Sequence, residues 1–410
     1  MNFLGWIDHD AEREDAILRA LGAAKGHDAR DELGLATIRD SFADLFFPGL
    51  STIQQRARYF LFVQWCCELA ASQGDADRIA ARLRANEEAL IGSLKHLGEG
   101  HGVIGIFSQE DLERMPSEIY WNGLLLLGMR RMRGSRRHWA RRVAANREAA
   151  KTSHVLEEGG KPTIDLGFDP ERPDPPSGFP IVSDLDFGLN KDEAAFLRTR
   201  LAAACVDEQR KGHAYNLFGT FAGYRRRTNA SALWEHPRVH ALKPEARDMV
   251  MLGAAFARIV QGAAILYNVC VARLLPETDA SARLRERHIN AFSNWAGALN
   301  PADIDILARR LSEIPGLGIL TRHRIDEKTL TFVRRWTEFA RGGEALLNDA
   351  GALRLVGARE EYLKAGNGTS RIRFSKQRDR WNGESGGRLM DFRWFIARSC
   401  LNDIAAAPRA

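Results

Sequence analysis

Apolar residues recur along most of the chain at intervals of three and four, the spacing that lines one face of an α-helix. Between Asp75 and Leu97 the stripe is Ile79, Leu83, Leu90, Leu94 and Leu97. Phe47-Pro48-Gly49 reads as a turn, with Ser51 and Thr52 as the N-cap of an amphipathic helix running from Ile53 to Ala71. Asn190-Lys191-Asp192-Glu193 is a capping-box pattern that opens a helix through Arg210. Pro244 and Pro301 stand at first-turn positions, the latter behind Asn300, and Asp326 caps a helix through Arg341.

From Met249 to Ala272 the only full charge is Arg258. About 20 apolar residues suffice to cross a bilayer. The polar Arg258, Gln261 and Asn268 inside the stretch predict instead a helix buried on most sides, and no membrane partner. Strand signals are confined to Val103–Phe107 and Arg371–Phe374, too little for a sheet. The predicted class is mainly α and multi-helical, with few short strands.

The pattern breaks between Glu157 and Asn190, where six of the fourteen prolines fall from Pro162 to Pro180. A structureless loop of this length is unusual inside a compact domain. The expected organisation is therefore a helical unit over 1–156, a linker or draped loop over 157–190, and a second helical unit over 191–410. The five cysteines, Cys66, Cys67, Cys205, Cys270 and Cys400, form no C-x-x-C pair and no even disulfide set, and Cys66-Cys67 read as core. The N-terminal residues lack a basic, then apolar, leader pattern, so a cytoplasmic location is expected.

Charge changes the picture locally more than globally. The formal net charge is +6. From Arg130 to Lys151 there are nine basic residues and one acid, Glu148. On a helix such cations repel one another, and a polyanion relieves the repulsion. Arg130, Arg131, Arg133, Arg136, Arg137, Arg141 and Arg142 are thus candidate phosphate contacts, with the Trp139 ring as a stacking face. A second basic stretch, Arg371, Arg373, Lys376 and Arg378 continuing through Arg380, Arg388, Arg393 and Arg398, interleaves with Phe374, Trp381, Phe392 and Trp394.

A third segment suggests an anion pocket. A helix starting near Ser51 and Thr52 would present free N–H groups, with Arg56 and Arg58 close by. Asp40 and Asp44, four apart, would share a helix face and could hold a metal ion or divide acid and base roles. No third ligand is apparent, so no metal and no cofactor is assigned. Gly100-His101-Gly102-Val103-Ile104-Gly105 fits G-x-G-x-x-G without the strand before and helix after that the motif needs. His236 and His240 have ligand spacing, but Pro237 lies between them. The remaining histidines are isolated.

Four segments together, Phe3–Asp8, Asp31–Asp40, Phe47–Thr52 with Arg56–Phe60, and Asp391-Phe392-Arg393-Trp394, are similar to a bacterial family of unknown function. That family is associated with mobile or phage-defence gene neighbourhoods, near helicases and phospholipase-D-like nucleases. Phe392 stands where the family pattern has Tyr, which removes a hydroxyl there. The resemblance implies a role facing nucleic acid, chiefly DNA, within a multi-protein system, and brings no catalytic residue with it. Three functions follow as expectations: a non-catalytic nucleic-acid-binding component of a defence or DNA-processing assembly; a helical scaffold for an acidic protein partner; and a metal-dependent nuclease or phosphodiesterase using Asp40 and Asp44.

Overall fold

In the computed structural model the described residues are 31–408, except 73, 99–100, 106–113, 155–163, 207–212 and 365. The marker Phe3–Asp8, the end of the strand expected at Val103–Phe107, Gly100 of the glycine pattern, the first residues of the Pro-rich segment, the Lys151 side chain and Arg210 lie outside them; the helix expected to run through Arg210 ends at Ala203, where Ala204 turns extended. In chain order the α-helices longer than one turn are α1 (Ala36–Phe46), α2 (Tyr59–Ala70), α3 (Ala76–Leu94), α4 (Pro116–Leu126), α5 (Arg136–His154), α6 (Lys191–Ala203), α7 (Pro244–Arg273), α8 (Asp279–Ala298), α9 (Pro301–Arg310), α10 (Ile314–Thr321), α11 (Glu327–Ala340), α12 (Ala350–Lys364) and α13 (Trp394–Ala406). Among the described residues there is no β-strand, only a bridge between Arg130 and Phe168. The protein is mainly α, and the strand expected at 371–374 is a turn.

The capping chemistry formed as the sequence specifies. Asp75 accepts from the Arg78 N–H at the start of α3, Asn190 and Glu193 exchange the two bonds of a capping box at α6, and Asn300 and Asp326 cap α9 and α11. The segment at Ser51 did not. Residues 51–58 contain no helix, and α2 begins only at Tyr59. The backbone N–H groups there go to side chains: Ser51 to Gln54 Oε1, Gln55 and Arg56 to the Tyr120 hydroxyl, and Ala57 to Asp403 Oδ2.

The chain divides into two compact units. One comprises Asp44–Lys243 with Arg393–Ala410; the other comprises Pro244–Phe392 with the stretch that ends at Ala43. The division therefore falls at Lys243/Pro244 and Phe392/Arg393 and not in the Pro-rich segment. The described part of that segment is stapled into the first unit. Trp65 Nε1 donates to Pro173 O (2.8 Å), Ser93 Oγ donates to Pro180 O (2.8 Å), and Phe179 packs on Phe62 and Trp65 with centroids 5.9 and 5.3 Å apart. Proline removes backbone donors, so such a stretch cannot form a helix, yet its carbonyls and aromatic rings still dock. Here α2 is the core helix, with Tyr59 through Cys67 all buried, and α3 and α4 pack against it.

In the second unit α7 is central, contacted by α8, α9, α11 and α12. It is long and apolar enough to cross a membrane, but 78% of its most apolar window is buried inside the protein, as a core helix would be. Its polar residues are consumed: Arg258 pairs with Asp303 at 3.1 Å, and Asn268 exchanges two hydrogen bonds with the Ser385 backbone. Trp295 and Trp336 donate their indole N–H groups to the Arg258 and Ile259 carbonyls.

Gly262 of α7 lies under the Trp295 ring, where an added Cβ would meet ring carbon at 2.2 Å. Alanine in a helix interior normally gains up to about 1 kcal/mol over glycine. Here overpacking costs about 1–3 kcal/mol, because the indole is held at its nitrogen and cannot retreat. Gly262→Ala is expected to lower the urea midpoint; an unchanged or raised midpoint would show that the ring yields.

Candidate nucleic-acid interface

Helix α5 is held to the first unit from beneath. Glu87 of α3, 1% exposed, accepts hydrogen bonds from the Ser117 N–H (2.5 Å) and Ser117 hydroxyl (3.1 Å). The same hydroxyl accepts from Arg136 Nη1 (2.9 Å), and Arg136 also pairs with Glu118. Ser135 Oγ accepts from the His138 N–H (3.2 Å), capping the helix start. Gly134 before it has φ +101°, and a Cβ there would press on the His138 ring at 2.9 Å, so the turn needs glycine.

The inward side of α5 is Trp139, Ala140 and Val143, all buried. Trp139 Nε1 donates to Leu166 O (2.9 Å), and its ring packs on Trp121 and Phe168. The expectation that Trp139 offers a stacking face is therefore corrected: the ring is enclosed. Four cations of the segment also do internal work or are paired. Arg130, 2% exposed, lies over the Trp121 ring (4.3 Å) and donates to the Trp121, Met132 and Gly134 carbonyls; burial lowers its guanidinium to about 10, still charged at neutral pH. Arg131 pairs with Asp165 (2.8 Å), Arg136 is tied as above, and Arg147 donates to Ala71 O. Arg133 is exposed.

What remains is Arg137, Arg141 and Arg142, exposed on the outer side of α5. None of the three makes an ion pair or hydrogen bond among the described residues. A helix advances 100° per residue, so Arg137 and Arg141 stand one above the other, Arg142 is beside Arg141, and Trp139 and Val143 point the opposite way. The outcome is a face of like charges on a helix fixed by its buried side.

The expected anion pocket is corrected as well. With no helix start at Ser51 and Thr52, no free N–H cluster forms, and the two arginines are taken. Arg56 grips Asp403 through Nε (3.0 Å) and Nη2 (2.7 Å), and Arg58 pairs with Glu193 (2.8 Å) and Asp186 (3.4 Å). Burial pushes the Asp403 carboxyl up, while Arg56, the Ala57 N–H and the Arg227 charge pull it back. Asp40 and Asp44 both lie on α1, but Asp40 is paired with Arg39 (2.9 Å) and Asp44 with Arg393. Among the described residues no three His, Cys, Asp or Glu side chains converge as metal ligands.

In the C-terminal stretch Arg371, 3% exposed, pairs with Glu32 and bonds Ser385 Oγ (2.9 Å). Arg378 donates to the Arg371 and Ile372 carbonyls, while Arg373 and Lys376 are exposed. Of the interleaved aromatics, Trp381, Phe392 and Trp394 are core; Phe374 is exposed at 37%, 5.4 Å from the Arg373 guanidinium. One basic element passed unnoticed in the sequence: Arg225-Arg226-Arg227, three consecutive exposed arginines whose only sequence signal is the run itself.

The fold and the site define a mainly α protein in which several arginines of the basic segments are taken by internal partners, while Arg137, Arg141 and Arg142 and the Arg225–Arg227 run face solvent. The chain belongs to DUF6361, a family of unknown function whose model matches residues 1–408. No curated protein and no solved structure matches the chain.

Burial pushes the Glu87 carboxyl, which underpins the α5 start, from its usual range up to about 7, against the pull of the Ser117 N–H and Arg136. Its folded value lies above its unfolded value, so its contribution favours folding below about pH 4.5 and is lost as pH rises through about 7. Stability should fall over that window with a slope approaching about 1.4 kcal/mol per pH unit at most. Glu87→Gln keeps one acceptor and one donor for Ser117 and should flatten that part of a urea-midpoint profile between pH 5 and 8; an unaltered slope would assign the pH dependence elsewhere.

Proposed function

We propose that the protein binds nucleic acid through the outer side of α5, holding the sugar–phosphate backbone with Arg137, Arg141 and Arg142 and without base readout. The observation that carries this reading is that these three guanidiniums are exposed and make no ion pair or hydrogen bond among the described residues, on a helix where Arg136 and Arg147 have internal partners. Guanidinium is the side chain whose planar donors fit phosphate oxygens in pairs. Contacts of this kind position a protein on a duplex independently of sequence.

The finer reading is a non-catalytic DNA-binding component of a bacterial defence or DNA-processing assembly. It keeps the gene-neighbourhood association that the sequence resemblance implies, and is supported by the pairing of Asp40 and Asp44 with guanidiniums. A carboxylate neutralised in this way is a poor metal ligand and a poor base until its partner leaves. The site residues carried forward differ from those expected from sequence, since Arg130, Arg136, Arg371, Arg56 and Arg58 have structural partners.

The test is fluorescence anisotropy of the full chain with two labelled duplexes of unrelated sequence, across a salt series. Binding should weaken linearly on a log–log plot, equally for both duplexes. Arg137→Glu/Arg141→Glu should lower affinity on the order of tenfold and reduce the salt slope by about 2. Absence of binding by the wild type at low salt, or full affinity in the double variant, would overturn the reading.

A further inference from the structure

The loop Tyr224–Ala230 of the first unit is irregular in backbone and yet tightly held. Helix α13 grips its second half with one stripe of side chains at positions 394, 398 and 402, spaced four apart. Trp394 Nε1 and Arg398 Nη1 both donate to Ala230 O (2.9 Å each). Asn402 and Thr228 exchange two hydrogen bonds, Thr228 N–H to Asn402 Oδ1 (2.8 Å) and Asn402 Nδ2 to Thr228 O (3.0 Å). The first half is rooted by the Tyr224 N–H on Phe221 O (2.9 Å) and by the Tyr224 ring against His236 (5.6 Å). His236 is buried, stacked on Phe221 at 4.0 Å and close to Trp394 at 5.7 Å.

A backbone fixed at both ends presents Arg225, Arg226 and Arg227 to solvent. Arg225 and Arg226 make no ion pair or hydrogen bond among the described residues, and no acidic residue occurs from Ala222 to Trp234. The Arg227 charge is felt at Asp403, whose carboxylate is already bonded to Arg56 and the Ala57 N–H. The first turn of α13 carries Phe395, 60% exposed, with the Arg398 guanidinium 5.7 Å from its ring centroid. Arg398 is thus the joint: it holds the loop carbonyl and lies against the exposed ring.

Leaving a Phe in water forgoes about 1.5–3 kcal/mol of burial, and the cation placed against this ring is the one that also bonds the loop at Ala230 O. An exposed aromatic ring beside a guanidinium is the chemistry that binds unpaired nucleotides: a base stacks on the ring while cations take the phosphates. A duplex keeps its base faces stacked inside, so the ring adds nothing to duplex binding and discriminates in favour of single strands.

We propose that the Tyr224–Ala230 loop, with Phe395 and Arg398, is a binding site for single-stranded nucleic acid, in which Arg225 and Arg226 contact phosphates and Phe395 stacks on a base. This rests on the nucleic-acid reading of the chain and adds to it a strand-selective site separate from the α5 residues.

The experiment measures anisotropy of the full chain with labelled oligothymidylate and, in parallel, a labelled duplex. Phe395→Ala and Arg225→Glu/Arg226→Glu should each reduce oligothymidylate affinity on the order of tenfold and leave duplex affinity within about twofold. Phe395→Trp should retain it, since any large aromatic face serves. All three substitutions are at exposed positions, and unchanged thermal midpoints verify folding. Wild-type binding to oligothymidylate that all variants share overturns this site alone. Equal losses for duplex and single strand also overturn it, by removing strand selection. Failure of the wild type to bind either oligonucleotide at low salt overturns the nucleic-acid reading itself. Binding to anionic vesicles or polyglutamate in place of oligothymidylate, lost in the same variants, assigns the patch to a membrane or an acidic protein and overturns the proposal.

Discussion

The carboxylate of Asp403 is the point on which the first unit depends. It receives Arg56 through two nitrogens and the Ala57 N–H, and so ties residues 51–58 to α13. That segment has no helix or strand to satisfy its own backbone, and backbone donors left unpaired inside a protein cost as much as a lost hydrogen bond. Gln54, Tyr120 and Asp403 supply the missing acceptors. Burying a carboxylate is costly in itself, and only the guanidinium and N–H donors around it make the arrangement stable. Arg58 with Glu193 repeats the solution one turn away, fixing the start of α2 to the capping box of α6.

The same economy of charge sorts the arginines. A guanidinium drawn below the surface must find a carboxylate, a carbonyl or a ring, and Arg130, Arg136, Arg258, Arg359 and Arg371 all do. In the second unit Glu360 shows how far this goes: it accepts from the Ser370 hydroxyl and the Arg371 N–H, while Arg371 itself turns to Glu32. Net charge is thus a poor guide to function in this protein. The informative quantity is the set of cations that remain after internal pairing, and in the first unit that set includes Arg137, Arg141 and Arg142 on α5 and Arg225 and Arg226 on the Tyr224–Ala230 loop.

Local signals were legible where local chemistry decides. The caps at Asp75, Asn190, Asn300 and Asp326, and the buried course of α7, follow from side chains within a turn or two of where they act. The start predicted at Ser51 failed because its acceptors, Tyr120 and Asp403, are some 65 and 346 positions away in the chain. The Pro-rich stretch read as a break between units for a related reason: its composition forbids a helix but says nothing of where Phe179 and Phe187 will pack. For the candidate site, the sequence named Arg137, Arg141 and Arg142, which the structure leaves exposed, alongside Arg130, Arg136 and Trp139, which it pairs or buries. A run of arginines does not reveal which will meet Glu118 or Trp121, and Trp139 looks the same in sequence whether it stacks on a base or fills a core. Arg225–Arg227 has no aromatic inside its run, and the residues that hold its loop, Trp394, Arg398 and Asn402, lie on the last helix, more than 160 positions away.

Both exposed basic elements are built by one device. A buried tryptophan donates its indole N–H to a carbonyl of an irregular segment: Trp139 to Leu166 beneath α5, and Trp394 to Ala230 beneath the loop. Each such bond joins a large apolar anchor to a single polar contact, so that the ring sets the depth of the helix and the nitrogen its rotation. Cations on the remaining sides then emerge in fixed directions without needing partners to hold them there. Binding a polyanion to such groups spends less conformational entropy than gathering arginines from a flexible tail. At α5 the structural tryptophan and the exposed arginines are two sides of one helix, and at the loop the tryptophan of α13 fixes the segment that carries Arg225 and Arg226.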